Sequence, residues 1–401
     1  MASTILSKIT IIDMTEGVAG PYAATVLADM GAKVLKVERR EGDWSRTAGR
    51  GSVANVGSAQ FVSLNRNKRN IGLDIEAPGG QRIIERLVGL ADVVLSNYRP
   101  GVMEKLGLGY ARCCELKLDI IYCTISGFGQ NGPYAKLPAS DTIMQAMSGV
   151  MSLVGEPDGP PLRVGFPLID MTAANYAVQA ILLALYGRHE RHGGAEIDVS
   201  LMAAALGLMN SQLSDYLAAG RLPVRQGNQN GNLAPAGAFQ VIGGRYIAIA
   251  VLRDEHWRKF CTAMDLDQLA DDERFRTNTA RVRNRAELDR VIVPILASKP
   301  SEYWLQSLRA ADILCGPINT LADVAADAAL AEHLPLIDPL IPGVARIMGT
   351  PIRFNGDYFT ADLPAPKKGE HTRQILGELG FRPEEIAEFF LSGSVFAADE
   401  A

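Results

Sequence analysis

The stretch "VGFPLIDMTAANYA" sets one carboxylate, Asp170, between a short apolar run and the start of an apolar helical pattern. A carboxylate so placed has two uses. It can accept hydrogen bonds from the free backbone N–H groups of the first helical turn, a structural role, or it can serve as a covalent nucleophile. The first is the commoner fate of an Asp at a helix start. Three features favour the second: the long Gly/Pro loop "GEPDGPPLRVGFP", the strand-like run just before the acid, and a nearly all-apolar helix behind it, which puts Asp170 at the margin of the core. The helix dipole favours the anion by about 0.3–1 kcal/mol, up to about 2 when partly buried. Full burial lifts a carboxyl pKa by about 3–5 units. The expectation is an ionised Asp170 from which water is excluded mainly after substrate arrives.

Such chemistry needs a movable cover. "GNQNGN" offers one in Gly227, Asn228, Gln229, Asn230 and Gly231, because Gly and Asn tolerate positive φ and can aim backbone N–H groups at a developing oxyanion. The plain alternative is a surface turn between domains. Cations for an anionic ligand cluster after strand-like runs: Arg39 and Arg40, then Arg66, Lys68 and Arg69 in "NRNKRN", then Lys105. Each cluster alone reads as a solvated face; several at one sheet edge suit phosphate oxygens. None of the five histidines (His189, His192, His256, His333, His371) falls in a strand-end loop, so neither a Ser-His-Asp triad nor a His base beside Asp170 is expected. Cysteines 113, 114, 123, 261 and 315 lack metal-type spacing and read as reduced thiols. No metal site is expected.

The elements that must position these groups alternate. "KITIID", "KVLKVE", "NIGLDI", "DVVLSN" and "LDIIYCTIS" are β-rich, and helical stretches such as "PGGQRIIERLVGLA" separate them, which predicts a parallel sheet covered on both faces. No strand-end loop matches G-x-G-x-x-G or a Walker A loop, which disfavours nicotinamide, flavin and nucleotide enzymes. "YAVQAILLALYG" reads as a buried helix too short to span a bilayer, and "IDVSLMAAALGLMNSQLSDYLAAG" as a strand and a further long helix. A Gly/Asn/Pro-rich stretch after residue 220 marks a domain boundary, and 401 residues suit two domains. The formal net charge of −5 disfavours a nucleic-acid or acidic-membrane partner. No signal peptide is read at the N-terminus, so a cytoplasmic location is expected.

Taken in order, "AGPYAATVLADMGAKVLKVERREGD", "LNRNKRNIGLDI", "DVVLSNYRPGVMEKLGL", "SGFGQNGP", the Asp170 segment, "IDVSL", "GNQNGNLAPAGAF" and "KKGEHTRQILGELG" resemble, nearly end to end, the class III coenzyme A transferases of the formyl-CoA and carnitine-CoA transferase family. The resemblance implies an α/β fold with a Rossmann-like parallel-sheet domain over residues 1–190, completed by about 330–401. It further implies a linker helix over 191–224, a smaller α+β domain over 225–329, and an interlocked, ring-like homodimer. It places the catalytic residue at Asp170 and the oxyanion or cover loop at Gly227–Gly231. The coenzyme A positions fall on Gly17, Val18, Ala19, Arg39, Leu73, Asn97 and Lys105, with Lys136 near the phosphates and Ser140 and Asp141 beside the substrate. Partners would be an acyl-CoA thioester and a small carboxylic acid, with no tightly bound cofactor, ATP, metal, nucleic acid or membrane. Departures narrow the reading. Racemases of this family look for a His before the Asp of "ASD", where this chain has Ser140; formyl-CoA/oxalate transferases carry Gln and Tyr where it has Val18 and Ser140. The expectation is a succinyl-CoA-type donor and a small dicarboxylic acceptor such as itaconate, mesaconate, malate or citramalate, with Arg46, Arg163 or Arg225 for the second carboxylate. The alternatives are an α-methylacyl-CoA racemase and a non-catalytic CoA-binding protein.

Overall fold

The runs expected to be strands are mostly buried on both faces, the edge strand Ala195–Ser200 excepted, and that sets the architecture of the computed structural model, which describes residues 5–49, 51–53, 56–191 and 193–398. Strands β1 (Thr10–Met14), β2 (Lys33–Glu38), β3 (Lys68–Leu73), β4 (Val93–Ser96), β5 (Ile121–Ser126) and β6 (Ala195–Ser200) lie in the spatial order β3-β2-β1-β4-β5-β6, all parallel. Ile12 of β1 pairs with Leu35 on one side and Val94 on the other. A C-terminal strand, Val395–Phe396, runs antiparallel beside β3.

Helices α1 (Ala19–Asp29) and α2 (Pro78–Leu90) follow the strands as their periodicity requires. On α2 the stripe Ile83, Ile84, Leu87 and Val88 is buried and joins Ile12, Ile71 and Val94 in one core. The C-terminal segment folds as two helices, Thr372–Glu378 and Pro383–Leu391, and adds Ile375, Leu376, Phe381 and Phe389 to that core.

Two helices differ from expectation. After the short α3 (Asp141–Met147), α4 extends from Leu168 to Arg191, 24 residues, and packs along α1. It is not an interior helix throughout, since Leu183 and Tyr186 are 64% and 77% exposed. Its Leu168–Arg188 part is long and apolar enough to cross a membrane by length and composition. The helix expected after β6 is two, α5 (Leu201–Leu208) and α6 (Asn210–Ala219), broken at Met209 (φ −94°, ψ 23°). Residues 191–224 are therefore a strand and two helices, not one linker helix.

These elements form one unit, residues 1–150, 163–221 and 334–401. A second unit comprises residues 151–162 and 222–333. Its antiparallel sheet, β7 (Ala236–Gln240), β8 (Tyr246–Ala250) and β9 (Leu314–Pro317), covers a core of Trp257, Phe260, Phe275, Leu288, Ile292 and Trp304.

Candidate active site

In the first unit the strand order reverses between β1 and β4, so the loops leaving their carboxyl ends part there, where parallel sheets receive ligands. A cavity of about 540 Å³ occupies the place. Glu16, Val18 and Ala19 line it from the turn after β1, Asn97 to Pro100 from the loop after β4, and Ile125 to Gly127 from the end of β5. Ser140, Asp141, Arg163 and Asp170 line the same cavity. No lining residue is a histidine; His192 and the side chain of His189 lie outside the described residues.

Asp170 is the third residue of α4, not its cap. Asp141, brought over from α3, does the capping. Its Oδ1 accepts the N–H of Ile169 at 2.7 Å and of Asp170 at 3.2 Å, and its Oδ2 accepts Gln145 Nε2 at 2.6 Å. Gln145, fully buried, accepts the Val164 N–H on Oε1 at 2.9 Å, so one Asp–Gln pair fixes both ends of the segment leading to Asp170. The Asp170 carboxylate itself accepts no hydrogen bond among the described residues. Burial, and then the charge of Asp141 beside it, push its pKa up to about 7. The anion is therefore harder to hold than at an ordinary helix start, because burial and the Asp141 charge oppose it and the nearest helix N–H groups are already taken. A desolvated carboxylate of raised pKa, free of structural duty and facing a cavity, is suited to covalent attack on a carbonyl once ionised.

The turn after β1 is held from below by buried charges. Lys36 Nζ donates to Thr15 O at 2.7 Å and to Asp43 Oδ2 at 2.8 Å, and Asp43 Oδ1 accepts the Gly17 N–H at 3.0 Å. Asp13 accepts the Thr15 N–H at 3.0 Å and the Lys68 ammonium at 2.9 Å. Desolvation would raise the Asp43 and Asp13 carboxyls, but Lys36 holds the first, and Lys68 with Lys36 the second, below the usual range. Gly17 has φ +85°, and a Cβ there would come within 2.3 Å of the Trp44 ring, so only glycine lets the turn close on Trp44. Asn97 clamps the turn from the side, accepting the Glu16 N–H at 3.0 Å and donating to Glu16 O at 2.8 Å.

The residues singled out from the sequence thus separate. Val18, Ala19, Asn97, Ser140, Asp141 and Asp170 line one cavity, with Gly17 in its supporting turn. Arg39 is exposed and paired with Glu16 at 3.1 Å; Lys105 and Lys136 are exposed and not on the cavity wall; Leu73 is buried in the sheet core. The reading of "NRNKRN" as a phosphate-facing cluster is corrected. Arg66 is buried against Asp29 at 2.6 Å, Lys68 against Asp13, and Arg69 pairs with Glu378 at 2.8 Å. Sequence reasoning missed Gln145, Lys36, Asp43, Trp44 and Arg99; the one local signal was the exposed aromatic Trp44 after a Gly-Asp pair.

Gly227 to Gly231 lie in the second unit and are well tied there. The N–H groups of Gly227, Gln229 and Asn230 donate to Gly155 O, Gln226 O and Ala236 O at 2.9, 3.1 and 2.9 Å. Gln229 Nε2 reaches Asp289 at 2.9 Å. Gly227 has φ +58°, and a Cβ there would meet the Glu156 carboxylate at 2.3 Å. The N–H groups of Asn228 and Gly231 have no partner among the described residues.

The profile of CoA-transferase family III matches residues 6–372. The chain is 36% identical to a succinate–glutarate CoA-transferase of Agrobacterium fabrum, over 93% of this chain and 95% of that protein. It is 34% identical to the succinyl-CoA:glutarate CoA-transferase of Mus musculus, over 98% and 91% of the two chains. A crystal structure of a CAIB/BAIF family protein from Brucella suis superposes with a TM-score of 0.85 at 37% identity, covering 93% of this chain and 99% of that one. Together with the parallel sheet and its cavity, these matches establish that the chain belongs to CoA-transferase family III.

Proposed function

We propose that this enzyme moves coenzyme A from succinyl-CoA to a small dicarboxylic acid, glutarate among the first to be tried, through covalent intermediates on Asp170. The observation that carries the mechanism is the Asp170 carboxylate, unbonded on the cavity wall while Asp141 does the capping it would otherwise do. The succinyl-CoA and glutarate activities of the relatives support the substrate class.

The steps balance without metal, ATP or net proton transfer. The Asp170 carboxylate attacks the thioester carbonyl of the donor, the C–S bond breaks, and a mixed anhydride and CoA thiolate result. The thiolate attacks the aspartyl carbonyl, releasing the donor acid and leaving an aspartyl-CoA thioester. The acceptor carboxylate attacks that thioester, re-forming an anhydride and thiolate; the thiolate then attacks the acceptor's acyl carbon, releasing the new acyl-CoA and the free Asp170. One difficult exchange becomes several easier ones. The turn at Gly17 to Ala19 and Asn97 would hold coenzyme A, with Arg39, Leu73, Lys105 and Lys136 proposed from the resemblance alone. Gly227 to Gly231 are proposed as the oxyanion and cover loop, with the Asn228 and Gly231 N–H groups free to donate. The test is direct: incubate the protein with succinyl-CoA and a panel of mono- and dicarboxylic acids, and read new thioesters by mass. No new thioester with any dicarboxylic acid would sink the proposal.

The raised pKa gives a second expected result. The nucleophile is the ionised form, so kcat/KM should climb with pH to a plateau, with an acid limb near 7. Asp141→Asn removes the like charge but not the desolvation, so the limb should move to lower pH while staying above an ordinary carboxylate's. An unmoved limb would refute the coupling. The racemase alternative gains no support here, since Ser140 is the cap of α3, accepting the Ile143 N–H at 3.4 Å, and supplies no base. It predicts solvent deuterium at the α-carbon of a 2-methylacyl-CoA. Self-association is proposed from the exposed apolar side chains Leu183, Tyr186 and Leu217 on α4 and α6; sedimentation giving a single 43.1 kDa species would refute it.

A further inference from the structure

Of the three arginines whose loop positions suit a second carboxylate, two are already engaged. Arg46 is gripped by both Glu38 oxygens at 2.6 and 2.7 Å and stacks on the Phe61 ring. Arg225 donates to Glu156 O at 3.2 Å and Gly159 O at 2.8 Å within the second unit. Arg163 is different. It lines the cavity that holds Asp170, and its guanidinium meets no acceptor among the described residues.

Its backbone is also fixed. The next residue, Val164, donates its N–H to Gln145, and Gln145 is bonded to Asp141, which in turn receives the N–H of Asp170. One buried pair therefore ties the backbone next to the cation to the backbone of the acid. Arg99, the other cation on the wall, sits in the loop after β4 two residues from Asn97, the residue that clamps the Glu16 turn.

We propose that Arg163 selects dicarboxylic over monocarboxylic acids by binding the carboxylate that is not being activated. The inference rests on the transferase reading above and adds the residue that reads the substrate. A monocarboxylic acid of equal length would set an apolar or neutral end against an unpaired guanidinium, whereas a dicarboxylic acid supplies the planar, bidentate partner that arginine favours. Succinyl-CoA and a dicarboxylic acceptor each keep one free carboxylate throughout. The same guanidinium can therefore serve donor and acceptor in alternate halves of the exchange.

The experiment compares kcat/KM for glutarate with that for its monoamide, which has the same length and one charge fewer. The wild-type enzyme is expected to prefer the diacid at least tenfold, the scale of a lost charge-assisted hydrogen bond. Arg163→Gln should abolish that preference, and Arg163→Lys should keep part of it, with thermal melts of both variants checking the fold. A preference that survives in Arg163→Gln overturns the proposal, as does an equal fall for both acids. A wild-type protein that exchanges coenzyme A with neither acid would instead overturn the transferase reading.

Discussion

Asp170→Asn is expected to lower coenzyme A exchange by roughly 10³-fold or more, the scale seen when a covalent nucleophile is removed, while coenzyme A binding by calorimetry stays near that of the wild type. The separation follows from the site's construction. The helix start is capped by Asp141, and the turn after β1 is held by Asp43 and Asn97, so neither depends on the Asp170 side chain. During turnover of the wild-type enzyme, mass spectrometry should find the Asp170 peptide heavier by coenzyme A less one water, and the variant should lack that adduct. Retained turnover in the variant would remove the mechanism. The same substitution should stabilise the fold by about 1–2 kcal/mol, because it removes a charge that burial and Asp141 disfavour. The sign follows from proton linkage. A folded-state pKa near 7 against an unfolded value of 3.8 means that the unfolded chain ionises first as pH rises. The stability gap between variant and wild type should therefore be absent below about pH 4, open between there and 7, and be complete above 7.

Lys36→Met is the second large effect, and it falls on stability. Lys36 is fully buried, and its ammonium is bonded to Asp43 and to Thr15 O. Desolvation works against that charge, but Asp13 and Asp43 hold its pKa above the usual lysine value. Removing one partner of a buried pair costs about 3–5 kcal/mol, because the other charge stays interred without compensation. Urea unfolding at pH 7 should show that loss. On acidification the deficit should narrow, because Asp43 and Asp13 have depressed pKa values and contribute stability only while ionised. A deficit under 1 kcal/mol at pH 7 would show that the turn is held by something other than this network.

Why the sheet was legible and the site only partly so comes down to distance along the chain. "VVLS" and "IYCTIS" are buried at every position, so an unbroken apolar run announces a central parallel strand. The α2 stripe repeats at helical spacing within its own thirteen residues. Asp170 stood out because its neighbours in sequence are also its setting. Its cap could not be foreseen, since Asp141 lies 29 residues away and looks like any acid at a helix start. The buried cations misled for the same reason. Arg66 and Lys68 resemble a solvated patch until Asp29 and Asp13, 37 and 55 residues upstream, are placed against them. Lys36 sits mid-strand in "KVLKVE", where period-two alternation suggests a wet face, yet helices and loops cover both sides of that strand. A charge announces its type in a sequence and conceals its counter-ion.

The strand Val395–Phe396 closes the edge of β3, and the helices just before it plug the groove over Ile83 and Leu87. During synthesis, then, the amino-terminal half leaves the ribosome with an open sheet edge and an unsealed apolar trough that residues 372–396 must shut, a long wait by the pace of translation. Until those residues emerge, the edge of that strand is an open template of the kind that pairs with other chains, and a truncation before Thr372 should yield a protein that aggregates.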